Sequence, residues 1–166
     1  KALRLMNRSV QAIIVGSDQG RTSYFNQLLS LVKNYDLTER VKFFQHCNDM
    51  PAAYSLVDFV VSASTDPEAF GRVIVEAQAM GTPVIATNHG AAVDNVLHGK
   101  TGILTPPGDE KALASAIQSM INMSTDKRKM MSNRGVSFVQ ENFSKEKMCE
   151  KTLWVYNKML SEEVVW

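Results

Sequence analysis

The sequence predicts an α/β domain in which a parallel sheet is flanked by helices. Short β-branched runs alternate with longer amphipathic stretches, the pattern of parallel strands joined by crossover helices. Glycine and proline punctuate the joins, as at Gly81 and Pro83 and in Thr105-Pro106-Pro107-Gly108-Asp109. At 166 residues and 45% apolar composition, the chain is long enough for one well-buried domain and too short for two comfortable ones.

The elements follow in order. Lys1 to Arg8 reads as an opening helix, and strands are expected at 12–15, 41–44, 59–62, 84–86 and 102–104. Between them the spacing predicts helices over 22–35, 51–56 and 72–80, with a short one over 92–97. Asp49 and Pro51 mark a helix start, since an acceptor side chain caps free amides and proline fits a first turn. Gly81 suits a left-handed cap and Pro83 cannot continue a helix, so the third helix ends there. Beyond residue 104, Leu113, Ile117, Met120 and Ile121 recur at helical spacing, and two further helices follow, the last over about 145–160.

A formal charge of +1 provides no large positive field and argues against nucleic acid as the main partner. Lys127-Arg128-Lys129 reads as a solvated helix face. Cys47 and Cys149 are widely spaced and lack a partner motif, which points to a reducing compartment without a disulfide framework. No apolar run reaches the length of a membrane span, and the N-terminus lacks a signal-peptide pattern. The expectation is a cytoplasmic location, the inner face of a membrane included for the parent protein.

The most informative segment is Glu68-Ala69-Phe70-Gly71-Arg72-Val73-Ile74-Val75-Glu76. If a helix opens near Gly71 or Arg72, its free amides and positive dipole end form a site for phosphate. Glu68 flanks that site. Glu76 stands roughly 7 to 8 Å along the axis, a phosphate-to-ribose sort of distance. A carboxylate only accepts, so it can take two vicinal hydroxyls at once. The arrangement suits a nucleotide attached to a polyhydroxylated group.

Other readings compete with this one. Taken alone, a Glu before a helix and a Glu within it would be a cap and a solvated side chain. Gly99-Lys100-Thr101 lacks the earlier glycine of a phosphate-binding loop, because Asp94 stands there. Gly16-Ser17-Asp18-Gln19-Gly20 lacks the spacing of a dinucleotide fingerprint. His46 beside Cys47 has no second pair at ligand spacing, so no metal is expected. His89 and His98 read as loop and helix-end residues.

The Glu68 to Glu76 segment resembles the paired-glutamate motif of the retaining, family-four glycosyltransferases of GT-B architecture: Glu, any residue, Phe-Gly, four residues, Glu. The resemblance continues through Ala77 to Thr87, His89-Gly90, Gly99 to Leu104 and Pro106 to Asp109, and upstream through Ile13 to Gly16 and Asp58 to Ser62. It implies a Rossmann-like sheet and the C-terminal, nucleotide-sugar-binding half of such an enzyme, with residues 1–166 as that domain.

Several roles come with the resemblance. It implies that Glu68 is catalytic and holds sugar hydroxyls, while Glu76 accepts from the ribose. Phe70, Gly71, Arg72 and Val73 would offer their backbone to the sugar and diphosphate. Phe44 and Gln45 end a strand whose loop lies against the base in that family. No cofactor is implied beyond the donor substrate itself.

The expected partners are a nucleoside diphosphate sugar, a separate N-terminal domain and an acceptor such as a lipid or glycan. A non-catalytic nucleotide-binding module and a sugar-nucleotide epimerase of the same architecture are the alternatives. The family's Arg and Lys diphosphate clamp falls before Lys1, so the chain alone is expected to be inactive. The last helix resembles the one that crosses back to the partner domain, with Leu153, Trp154 and Tyr156 exposed here. Where the family has two adjacent glycines and then Glu, this chain has Gly90-Ala91-Ala92-Val93-Asp94, which puts the close backbone approach at Ala91 in question.

Overall fold

The computed structural model describes residues 1–6 and 10–161. Five strands alternate with helices: β1 (Ala12–Val15), α1 (Thr22–Asn34), β2 (Val41–Phe44), α2 (Met50–Ser55), β3 (Val60–Ser62), α3 (Arg72–Ala79), β4 (Val84–Thr87), α4 (Ala92–Asn95) and β5 (Gly102–Thr105). Three helices complete the described chain: α5 (Glu110–Ile121), α6 (Thr125–Phe143) and α7 (Lys145–Ser161). The expected elements are all present, with ends shifted by a residue or two. The opening helix is the exception: Ala2–Leu5 forms a single 3₁₀ turn, and residues 7 and 8 of its expected span lie outside the described residues.

The strands are parallel throughout, but they form two sheets. β1 pairs with β2 from Ala12 opposite Val41 to Val15 opposite Phe44. β4 pairs with β3 on one side and β5 on the other. β1 and β3 are not hydrogen-bonded to each other, so each presents one unpaired edge.

β4 is buried along its whole length, as a central parallel strand must be. Side chains alternate across a strand, so Val84 and Ala86 pack to one face and Ile85 to the other. The first face joins Tyr54 of α2, Ile74 and Ala77 of α3, and Ala92 and Val96 around α4. The second face joins Ala116, Ile117 and Met120 of α5 and Met131 of α6. Fully burying an Ile such as Ile74 or Ile85 stabilises the fold by about 1.5–3 kcal/mol. Helix α3 therefore sits directly on the sheet's firmest strand.

The caps obey the sequence. Asp49 accepts from the Ala52 amide at 3.0 Å to start α2, and Asp109 accepts from the Lys111 and Ala112 amides to start α5. α3 ends at Ala79, with Gly81 in the left-handed region two residues on. α7 has no buried residue, and Leu153, Trp154 and Tyr156 are all exposed.

Candidate functional site

The loop from β3 into α3 carries most of the candidate residues. Gly71 is the N-cap of α3 and lies in the left-handed region, at φ 71° and ψ 51°. A side chain there would be strained by the backbone and would also meet Asn95 Nδ2 and the Ile74 side chain at 3.3 Å. Asn95 is buried; its Nδ2 donates to the Phe70 carbonyl, and its own carbonyl accepts from Gln78 Nε2 at 2.8 Å. A buried amide pair thus ties the start of α3 to the end of α4.

No side chain caps α3, so its first amides have no partner inside the helix. Gly71 is buried, whereas Arg72 and Val73 beside it are exposed. The positive end of the helix accordingly opens to solvent at those two residues. Phe70 is half exposed and meets Phe143 edge to face at 5.9 Å, which brings the end of α6 against the loop.

Glu68 lies in front of that tip. Its Oε2 would be 3.5 Å from a Cβ added at Gly71, and its Oε1 accepts the Ser64 hydroxyl. The crevice around it is lined by Ser62, Ser64, Ile74, Thr87, His89 and Ala92 and has a volume of about 10 Å³. That is the scale of one water, so a sugar would lie over the crevice rather than inside it. The Thr87 hydroxyl donates to the Ser64 carbonyl at 2.8 Å, and His89 Nε2 stands 2.9 Å from the same carbonyl. A carbonyl only accepts, so Nε2 is the protonated ring nitrogen of His89.

The loop after β4 closes on the same residue. The Ala91 amide donates to the Glu68 carbonyl at 3.0 Å. A Cβ on Gly90 would fall 2.8 Å from both the amide nitrogen and the carbonyl oxygen of Glu68. The close backbone approach is therefore met by Gly90, and Ala91 is accommodated beside it. Asp94 stands exposed on α4.

Glu76 is held by two donors. The Tyr54 hydroxyl donates to Oε2 at 2.9 Å, and Arg72 donates to Oε1 from Nη2 at 2.9 Å and from Nε at 3.2 Å. Tyr54 is 4% exposed, while the Arg72 side chain is 82% exposed. Burial, and then donation to Glu76, push the Tyr54 hydroxyl up to about 12 from its ordinary value of 10.

Phe44 and Gln45 sit apart from this group. Both are exposed at the C-terminal end of β2, in the other sheet, and no hydrogen bond or ring contact among the described residues joins them to the α3 loop. They do share its end of the strands, where open parallel sheets take ligands. A larger cleft of about 360 Å³ lies elsewhere, lined by Lys100, Arg134 and Phe138 among others, and contains neither glutamate.

Sequence reasoning missed Tyr54, Ser64 and Asn95, and gave His89 no part. Only Tyr54 left a trace, because a tyrosine placed to be buried needs a partner for its hydroxyl. Asn95 and His89 are brought in from the segment after β4, and Ser64 by the turn of its own loop, which no periodicity encodes. Among the described residues, no helix is long and apolar enough to cross a membrane.

Comparison with known proteins identifies the family and the fold. Residues 1–137 match the family described as Glycosyl transferases group 1. The capsular polysaccharide biosynthesis glycosyltransferase CapM of Staphylococcus aureus is 32% identical over 155 residues, 93% of this chain and 39% of that protein. The crystal structures of Anabaena Alr3699/HepE in complex with UDP and with UDP-glucose have a TM-score of 0.88 and 33% identity, covering 95% of this chain and 43% of theirs. Sucrose-phosphate synthase from Thermosynechococcus elongatus has a TM-score of 0.85 and 31% identity, over 96% of this chain and 40% of its own. The chain thus spans about two fifths of the length of these relatives. With its parallel sheets, its open helix tip and its two flanking glutamates, the chain belongs to the group 1 glycosyl transferases and has the Rossmann-like α/β fold of GT-B enzymes.

Proposed function

We propose that this chain is the donor-binding half of a retaining glycosyltransferase, which moves a sugar from a nucleoside diphosphate to an acceptor held mainly by another domain. One observation carries the reading: an uncapped helix tip at Gly71 and Arg72 lies between two carboxylates, Glu68 in front and Glu76 one turn inside. The amides of Arg72 and Val73 receive the diphosphate. As the bond from the anomeric carbon to the phosphate oxygen breaks, charge grows on the departing diphosphate, and the helix tip stabilises it where it develops.

Glu68, fixed by the Ser64 hydroxyl, orients the sugar through its hydroxyls. Glu76 accepts from the ribose. Phe44 and Gln45 receive the base from the C-terminal end of β2, in the other sheet. UDP is the first nucleotide to test, because HepE binds UDP and UDP-glucose.

The split sheet supports the same reading. Ile13 and Ile14 of β1 are each 42% exposed, and Val61 of β3 is 38% exposed, although interior parallel strands bury such residues. A strand from elsewhere in the protein, paired between these two edges, would cover them and join the sheets.

Calorimetry with UDP, GDP, ADP and their sugars on the full-length protein tests the proposal. Binding of one nucleotide and its sugar is expected, with turnover once an acceptor is supplied. Losing charge-assisted bonds to ribose in Glu76→Ala would weaken that nucleotide roughly ten- to a hundredfold and its 2′-deoxy form, which keeps one of the two hydroxyls, by less, so that discrimination between them falls. Equal discrimination in wild type and variant would remove the ribose role. Binding without turnover would leave a regulatory module, and conversion of the donor without acceptor would make the protein an epimerase.

A further inference from the structure

The geometry points to Tyr54 as the residue that positions Glu76 for ribose, with Arg72 as the partner that the ribose displaces. This rests on the reading of Glu76 as the ribose-binding carboxylate. A carboxylate offers about four lone-pair sites. Three are taken: Oε2 by the Tyr54 hydroxyl, and Oε1 twice by Arg72. A ribose brings two hydroxyl donors, so at least one existing partner must leave.

The two partners differ in how easily they can go. Tyr54 belongs to the buried cluster with Ile74, Ala77 and Val84, and its own carbonyl accepts the Thr82 hydroxyl at 2.8 Å. Its side chain is held on every side. The Arg72 guanidinium reaches Glu76 from solvent, and an exposed pair of this kind is displaced at little cost. The ribose diol therefore takes the place of the guanidinium at Oε1, while Tyr54 stays on Oε2 and stops the carboxylate from turning. Arg72 is released next to the helix tip, where the diphosphate lies in the proposed complex.

On this account Tyr54 never touches the nucleotide and acts only through Glu76. Its removal should thus change ribose selectivity rather than binding in general. The measurement is the ratio of dissociation constants for 2′-deoxy-UDP and UDP on the full-length protein, by calorimetry, in wild type, Glu76→Ala, Tyr54→Phe, Arg72→Ala and the double variant lacking both the Tyr54 hydroxyl and the Glu76 carboxylate. If another nucleotide binds instead, its ribose and 2′-deoxyribose forms are used.

Tyr54→Phe keeps the ring and its packing, and should lower the ratio severalfold. In the Glu76→Ala background the same change should have no effect. Arg72→Ala, which lies at the surface, should leave the ratio as high as in wild type or raise it. If Glu76→Ala loses the ratio and Tyr54→Phe keeps it, the assignment of Tyr54 fails while the ribose reading stands. If Glu76→Ala keeps the ratio, the ribose reading fails and takes this inference with it. A fall in the ratio in Arg72→Ala as large as in Tyr54→Phe would overturn the proposed exchange.

Discussion

The two sheets of this molecule are built from similar residues and reach different ends. β4 and its neighbours bury Val84, Ile85 and Ala86 almost completely, between α3 and α4 on one face and α5 and α6 on the other. β1 carries two isoleucines that are each 42% exposed, and α1, which follows it in the chain, buries no residue. Apolar strands alone do not make a core; they need cover on both faces and both edges. The helix tip and both glutamates stand on the covered sheet, where packing holds them in place. Phe44 and Gln45 stand on the other, so the proposed base contacts fall on the sheet with less internal support.

Truncating matched isoleucines gives the sharpest break of that comparison. Ile85→Ala is expected to cost about 2–5 kcal/mol in urea denaturation, from lost transfer energy and the cavity left behind. Ile14→Ala should cost less than about 1 kcal/mol, because much of its side chain already meets water. Similar losses at both positions would mean that β1 is covered in solution.

An effect of intermediate size comes from Tyr54, on the covered side. Its hydroxyl titrates near 12 in the folded protein and near 10 when unfolded, so the folded state holds the proton more tightly between those values. The stability it contributes is complete below pH 10 and is lost as pH rises toward 12. Thermal melting of wild type should therefore fall more steeply than that of Tyr54→Phe between pH 10 and 12. Parallel curves would show that the hydroxyl is neither buried nor held on Glu76 in the folded protein.

The smallest effect expected is at a helix start. Asp109→Ala removes the side chain that accepts from two amides of α5 and should cost about 1 kcal/mol. Hydrogen exchange in α1, whose start has no such cap, should not respond if the two sheets open separately.

The sequence made the α/β class legible because its β-branched runs and helical spacings are local, and the site legible because Glu68, Gly71 and Glu76 lie within one short segment. It did not show that the strands divide into two sheets, since unpaired edges depend on which strands meet. Nor did it show Asn95 beneath Phe70 or Ser64 on Glu68, contacts made by side chains 25 and 4 residues away in sequence. The opening helix was overestimated, because a run of apolar and basic residues fixes an amphipathic pattern and says nothing about where it stops.

Gly90 touches Glu68 through main chain alone, at a spacing that leaves no room for even one methyl group. Loop grafting between relatives is therefore restricted in the segment after β4: Gly90 must stay bare, and the Ala91 amide and Asn95 must keep their bonds to Glu68 and Phe70. A designer seeking new donor preferences would start from Asn88, Val93 and Asp94, which are exposed, and leave untouched the residues that hold the acid.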